Sequence, residues 1–182
     1  MDRINTTSIS AIFYSALIGF IAAVASHYFR DWIVKLSILA EESLTFDSMF
    51  LYFLISLSIA ACVVQGIRKL ANINRFEGPA DSIFAAHRVD NELNIKHGFY
   101  STLAAFSSAA GGASVGQYGP LVHLGATIGA WIKEKSKSGL STDIFIGCGV
   151  SAAISAGFTA PIAGVIFAHE AITRHLGLPY ND

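Results

Sequence analysis

Residues Gly98–Ile132 read GFYSTLAAFSSAAGGASVGQYGPLVHLGATIGAWI, 35 positions without a lysine, arginine, aspartate or glutamate. The stretch is not one smooth apolar helix. Gly98–Val115 is apolar but ends in small residues, from Ser107 through Gly111 and Gly112 to Ser114. Gly116-Gln117-Tyr118-Gly119-Pro120 interrupts it as a loop, and a second apolar run, Leu121–Ile132, stops at Lys133-Glu134-Lys135. These pieces hold 18 and 12 residues, whereas a full bilayer crossing takes about 20. Interrupted backbone at membrane depth is tolerated only where protein buries it or where it lines a watery cavity.

The flanking sequence places that stretch in a membrane. Hydrophobic residues make up 53% of the 182 and charged residues 14%, against about 25% charged in soluble domains. Mean hydropathy is +0.52. Ile9–Phe29 reads as a first spanning helix, capped by Thr6, Thr7 and Ser8 and ended by Arg30, Asp31 and Lys35, with Tyr28 and Trp32 as interface anchors. Ser48–Ile67 reads as a second span, stopped by Arg68 and Lys69. Glu77-Gly78-Pro79-Ala80-Asp81 forms a turn into a short helix, Asp81–Arg88. Ser141 or Thr142 caps another run that begins near Asp143, breaks at Gly157–Pro161 and resumes to about Thr173. The fold class is therefore all-α: a polytopic membrane protein with broken, re-entrant-like helices, read as one transmembrane domain over residues 1–182. Gly125-x-x-x-Gly129, Gly147, Gly149 and Gly157 allow close helix approach.

Composition also excludes. A net charge of −1 leaves no nucleic-acid footprint. Cys62 and Cys148 sit inside apolar runs as small hydrophobes, and the six histidines show no ligand spacing, so no metal and no other cofactor is expected. An amino-terminal signal peptide is disfavoured by the length of the first apolar run and by a single basic residue, Arg3, ahead of it.

Two short apolar segments interrupted by glycine and proline are the sequence pointer to a binding site at the bilayer midplane. Their amino ends would aim unpaired N–H groups and a partial positive charge into a cavity, which favours an anion without a lysine or arginine. The anion-pathway candidates are Gly116, Gln117, Tyr118, Gly119 and Pro120 in the first break, and Phe158, Thr159, Ala160 and Pro161 in the second. At Phe158, Ala160 and Pro161 the backbone rather than the side chain is expected to reach the pathway. His123, His169 and Glu170 read first as satisfied polar groups, although an ionisable residue inside a membrane invites a functional reading.

The block Gly111-Gly112-Ala113-Ser114-Val115-Gly116-Gln117-Tyr118-Gly119-Pro120-Leu121-Val122-His123-Leu124-Gly125-Ala126 resembles the CLC chloride channel and transporter family, whose signature is G-x-x-x-G-K/R-E-G-P before an apolar helix. Gly157-Phe158-Thr159-Ala160-Pro161-Ile162-Ala163-Gly164-Val165-Ile166-Phe167 is similar to the family's F-N-A-P-L-A-G-x-x-F. Order and spacing agree over residues 98–172, the motif-bearing, pore-lining part. The resemblance implies one half of an inverted-repeat fold, a chloride or other small-anion pathway in each protomer, and pairing into homodimers. The family's later motifs, a G-x-F-x-P loop and a pore tyrosine, are absent, so the chain is expected to be a fragment or a truncated gene product, or to associate with another copy or with a missing carboxyl-terminal half. An integral, multi-pass location in a cell inner or plasma membrane follows from the same resemblance.

Three departures bear on mechanism. Tyr118 stands where the family has its gating glutamate; a phenol with a pKa near 10 is neutral and does not compete as an anion. Ala171 stands at the proton-side glutamate position, so it lacks the carboxylate, while Glu170 sits at the first of the family's two successive glutamates. The chloride-coordinating serine of the family's G-S-G-I-P loop is missing from Phe76–Asp81, where Glu77 is either a substitute gate or part of a helix cap. The resemblance thus implies passive anion conduction without proton coupling, with proton-coupled exchange as the alternative. From a different class, Ser151 between Gly149-Val150 and Ala152, with His169 as base, loosely echoes an intramembrane serine hydrolase. A purely structural subunit is the remaining alternative. The expectation is that the chain is not an enzyme.

Overall fold

The computed structural model describes residues 2–43, 49–87, 93–116, 118–136 and 138–172. Among these residues it is entirely helical: α1 (Asp2–Ser43), α2 (Met49–Ala71), α3 (Pro79–His87), α4 (Ile95–Ala110), α5 (Tyr118–Lys135), α6 (Thr142–Phe158) and α7 (Pro161–Ala171).

Two helices are long and apolar enough to cross a bilayer, over Ile9–Leu39 and Phe50–Ala71. Only 17% of either apolar window is buried against protein. A soluble core helix would be mostly enclosed, whereas here Phe13, Phe20, Phe50 and Leu54 face outward, as a lipid solvent requires. The first helix does not end at Arg30. No glycine or proline interrupts residues 20–43, and Asp31 pairs with Lys35 one turn on, at 2.7 Å, so the charges sit on the helix rather than stopping it. Thr6, Thr7 and Ser8 lie inside α1, not ahead of it. The second helix runs past Ile67 to Ala71, with Arg68 and Lys69 in its last turn, where cations meet the helix carbonyls favourably. It closes where Asn72 adopts a positive φ of 52° and Ile73 N–H donates to the Arg68 carbonyl at 3.1 Å.

The short helices follow from local caps. Proline at the first position of α3 loses no needed donor, and Asp81 reaches back to accept the Gly78 N–H at 2.8 Å, the acidic half of a capping box. Asn94 caps α4 by accepting from His97 N–H at 3.1 Å. Ser141, expected as a cap of α6, holds the flanking position in extended conformation without a side-chain bond.

Helix α5 is the centre of the molecule. Every residue from Leu121 to Ala130 is buried, as is Ile132. Its neighbour α6 crosses it in the opposite direction at backbone contact: a Cβ on Gly149 would fall 2.0 Å from the Gly125 carbonyl oxygen, and one on Gly129 would fall 2.2 Å from that of Phe145. The small-residue spacing therefore serves packing between helices. Helix α1 packs against both α5 and α6, adding Ile18, Ala22, Phe29 and Ile33 to a core with Leu121, Leu124, Ile128 and Phe145. Helix α7 folds back along α6, where a Cβ on Gly164 would meet Ser155 Oγ at 2.3 Å.

Candidate functional site

The two interrupted stretches meet. The rings of Tyr118 and Phe158 stack with centroids 3.9 Å apart and planes inclined by 17°. A Cβ on Gly157 would lie 3.6 Å from the Tyr118 ring and 3.2 Å from Leu121, so the end of α6 lies directly against the start of α5. The amino end of α5 thereby faces the corner where α6 ends and α7 begins. That corner is built by Thr159, in left-handed conformation at φ 55°, whose N–H caps α6 on the Ser155 carbonyl, and by Pro161, which starts α7.

A third helix end joins them. A Cβ on Gly119 would lie 3.4 Å from Pro79 Cγ, which sets the first turns of α3 and α5 side by side. Ser82 Oγ lies 2.7 Å from His123 Nδ1, and Ala86 packs in one cluster with Val122 and Ala126. The two helices hence run in the same direction with their amino ends together. The partial positive charges of the two ends add rather than cancel, which is the electrostatic condition for holding an anion with backbone amides.

Tyr118, Gly119 and Pro120 are not loop residues. They form the first turn of α5, where proline costs nothing because those N–H groups have no intrahelical acceptor. The break instead begins earlier than expected, directly after α4 ends at Ala110, and it turns at Gly112 and Gly116, with φ of 88° and 71°, values that other residues adopt only with strain. Gln117 lies outside the described residues. Gly116 and Tyr118 are exposed, while Gly119 and Pro120 are half-buried. Phe158, Thr159 and Pro161 are exposed and Ala160 is half-buried. Ala171 is half-buried at the far end of α7.

Glu77 faces the first turn of α4. Its Oε1 lies 3.6 Å from His97 Nδ1, and its N–H donates to Ser101 Oγ at 2.9 Å. Burial pushes its carboxyl above the usual range against the pull of His97. At Asp81 burial acts in the same upward direction, but the Arg75 guanidinium and the Gly78 amide outweigh it and hold the carboxyl low. Ser151 and His169 both line an open groove of about 450 Å³ between α1, α6 and α7, together with Ser15 and Cys148.

Residue patterns did not single out three participants. Pro79 enters the site only through packing against Gly119, Ser82 only through His123, and Arg30 only through its 3.5 Å approach to the Gly157 carbonyl. The proline at the start of α3 was the one available signal.

Short helices whose ends meet beside long, outward-facing apolar ones define a polytopic helical membrane protein. The family model described as voltage gated chloride channel matches residues 59–180, and the chain belongs to that family. The chain is 28% identical over 101 residues to the ClcB-like chloride channel protein of Ralstonia nicotianae, covering 53% of this chain and 24% of that protein. It is 25% identical over 184 aligned positions to chloride channel protein CLC-d of Arabidopsis thaliana, covering 88% of this chain and 23% of the relative. The H(+)/Cl(-) exchange transporter 7 of Mus musculus is 34% identical over 77 residues, 35% of this chain and 10% of the relative. The chain thus spans a quarter or less of the length of these curated relatives.

Proposed function

We propose that this chain forms one wall of a passive pathway for chloride or another small anion, without proton coupling. The observation that carries the reading is the meeting of the α3 and α5 amino ends beside Tyr118, which is stacked on Phe158 where a gating carboxylate would stand. Aligned amides stabilise a partly dehydrated anion without binding it so tightly that it cannot leave, which conduction requires. Gly116, Gly119 and Pro120, with Thr159, Ala160 and Pro161, supply backbone to that wall, and Tyr118 supplies a neutral hydroxyl. Residues 98–172 carry this pore-lining part of a single transmembrane domain. Ala171 offers no carboxylate to a proton route.

The second reading is proton-coupled exchange, which one relative's name supports. Glu77 is then the carboxylate to consider, as a substitute gate. In either case the pathway closes only against a further surface, supplied by another copy of the chain or by a carboxyl-terminal half, in a cell inner or plasma membrane. Neither reading invokes a metal or other cofactor.

The test is chloride flux from liposomes carrying the complete assembly, with proton movement recorded at the same time. Chloride release that leaves the proton gradient untouched supports the passive reading. Proton transport in fixed ratio to chloride replaces it with exchange. No anion flux at all overturns both.

A further inference from the structure

We propose that Arg30, on α1, is the cationic group at the mouth of the anion pathway, drawing anions toward the helix amino ends and holding the α6 terminus in place. The inference rests on the reading of the site as an anion path and names the residue that tunes it.

The turn at the amino end of α5 brings no cation of its own: Gly116, Tyr118, Gly119 and Pro120 are neutral, and the intervening position is a glutamine. The corner after α6, Gly157–Pro161, is uncharged too. Arg30 reaches this corner from a different helix. Its Nη1 lies 3.5 Å from the carbonyl oxygen of Gly157, longer than a well-formed hydrogen bond but well within the range of a charge acting on a helix's carboxyl end. Gly157 lies against the Tyr118 ring, and its neighbour Phe158 carries the stacked ring. The guanidinium therefore sits one residue from the aromatic pair.

Two further observations favour a role beyond packing. The side chain is exposed, and because a guanidinium in hydrocarbon is costly, its charge takes an aqueous or headgroup position. The neighbouring Asp31 is taken by Lys35 at 2.7 Å, and among the described residues no ion pair involves Arg30. An unneutralised cation beside an anion path raises the local anion concentration. It also offsets the negative end of the α6 dipole, which would otherwise oppose an anion arriving at the same corner.

The experiment compares the complete protein with its R30Q and R30K variants in liposomes or planar bilayers, measuring anion conductance across a range of salt concentrations. Charge steering is screened by salt, with a Debye length of about 30 Å at 0.01 M and about 3 Å at 1 M. In dilute salt R30Q is expected to lower conductance by about twofold to fifteenfold, the range that a unit charge about 10 Å away gives between water-like and surface dielectrics. At 1 M salt the deficit disappears, and R30K stays close to the parent throughout. A salt dependence for R30Q that matches the parent overturns the proposal. So does a loss that is equal at all salt concentrations and is not rescued by R30K, because that pattern marks a purely structural contact. Failure of the underlying reading looks different: the parent protein itself then passes no anion.

Discussion

Tyr118 and Phe158 lie face to face, 3.9 Å between ring centroids, and this contact joins the beginning of α5 to the end of α6. The stack has two consequences for the proposed pathway. It fixes the direction in which the first amides of α5 point, and it places a neutral phenol where an ionised side chain would compete with the anion. Replacing Tyr118 separates them. Y118F keeps the rings stacked and should leave thermal stability in detergent unchanged, whereas Y118A should lose about 0.5–1.5 kcal/mol, the worth of an aromatic pair. Y118E puts a carboxylate at the path, and anion flux should then rise as pH falls through its titration. A flat pH profile for Y118E would remove Tyr118 from the pathway.

The crossing of α5 and α6 tolerates no side chain. A Cβ on Gly149 meets the Gly125 carbonyl at 2.0 Å, while Gly19 on α1 has nothing within 4 Å. Overpacking of this kind costs about 1–3 kcal/mol or more. G149A should lower the melting temperature in detergent clearly, and G19A should not. Equal melting temperatures for the two variants would show that the helices separate more easily than this contact implies.

Ser82 and His123 form a buried polar contact between α3 and α5, at 2.7 Å, and His123 Nε2 is buried without a partner among the described groups. Removing one member strands the other. S82A should destabilise by about 1–3 kcal/mol, whereas the S82A/H123L double variant should recover part of that loss, because no polar group is left unpaired. Additive losses in a double-mutant cycle on unfolding stability would mean the two side chains act independently.

Glu77 carries a pH signature. Its carboxyl is raised in the folded protein by burial, ahead of the opposing pull of His97. A raised carboxylate binds its proton more tightly folded than unfolded, so its stabilising contribution is complete below the unfolded value and fades as pH rises through the folded one. Acidification from neutrality into the carboxylate range should therefore stabilise the parent relative to E77Q. The comparison is two unfolding curves against pH, and parallel curves would show that the side chain is solvated.

The extent to which pattern alone revealed the structure varied from element to element. Apolar runs gave six of the seven helices among the described residues, the Glu77–Asp81 turn gave the short α3, and the glycine–proline interruptions marked both breaks. Ends were misplaced where charge, glycine or proline was taken as punctuation: Arg30 and Asp31 ride on α1 because nothing in the backbone there prevents it, and Tyr118–Pro120 belong to α5 because unpaired first-turn amides accept proline. The contact of α3 with α5 through Pro79 and Gly119 was not legible, since packing between elements leaves no periodic trace.

By itself the sequence determined that this chain lives among lipids, that its helices are interrupted twice, and that its motif blocks belong to the voltage gated chloride channel family. Those properties depend on local composition and order, which hydropathy and spacing record directly. Only the tertiary structure decided which helix ends converge, that Tyr118 rests on Phe158, and that a single arginine reaches the Gly157 carbonyl from α1. Such pairings join residues distant along the chain, and they are fixed by how closely small residues let the backbones approach.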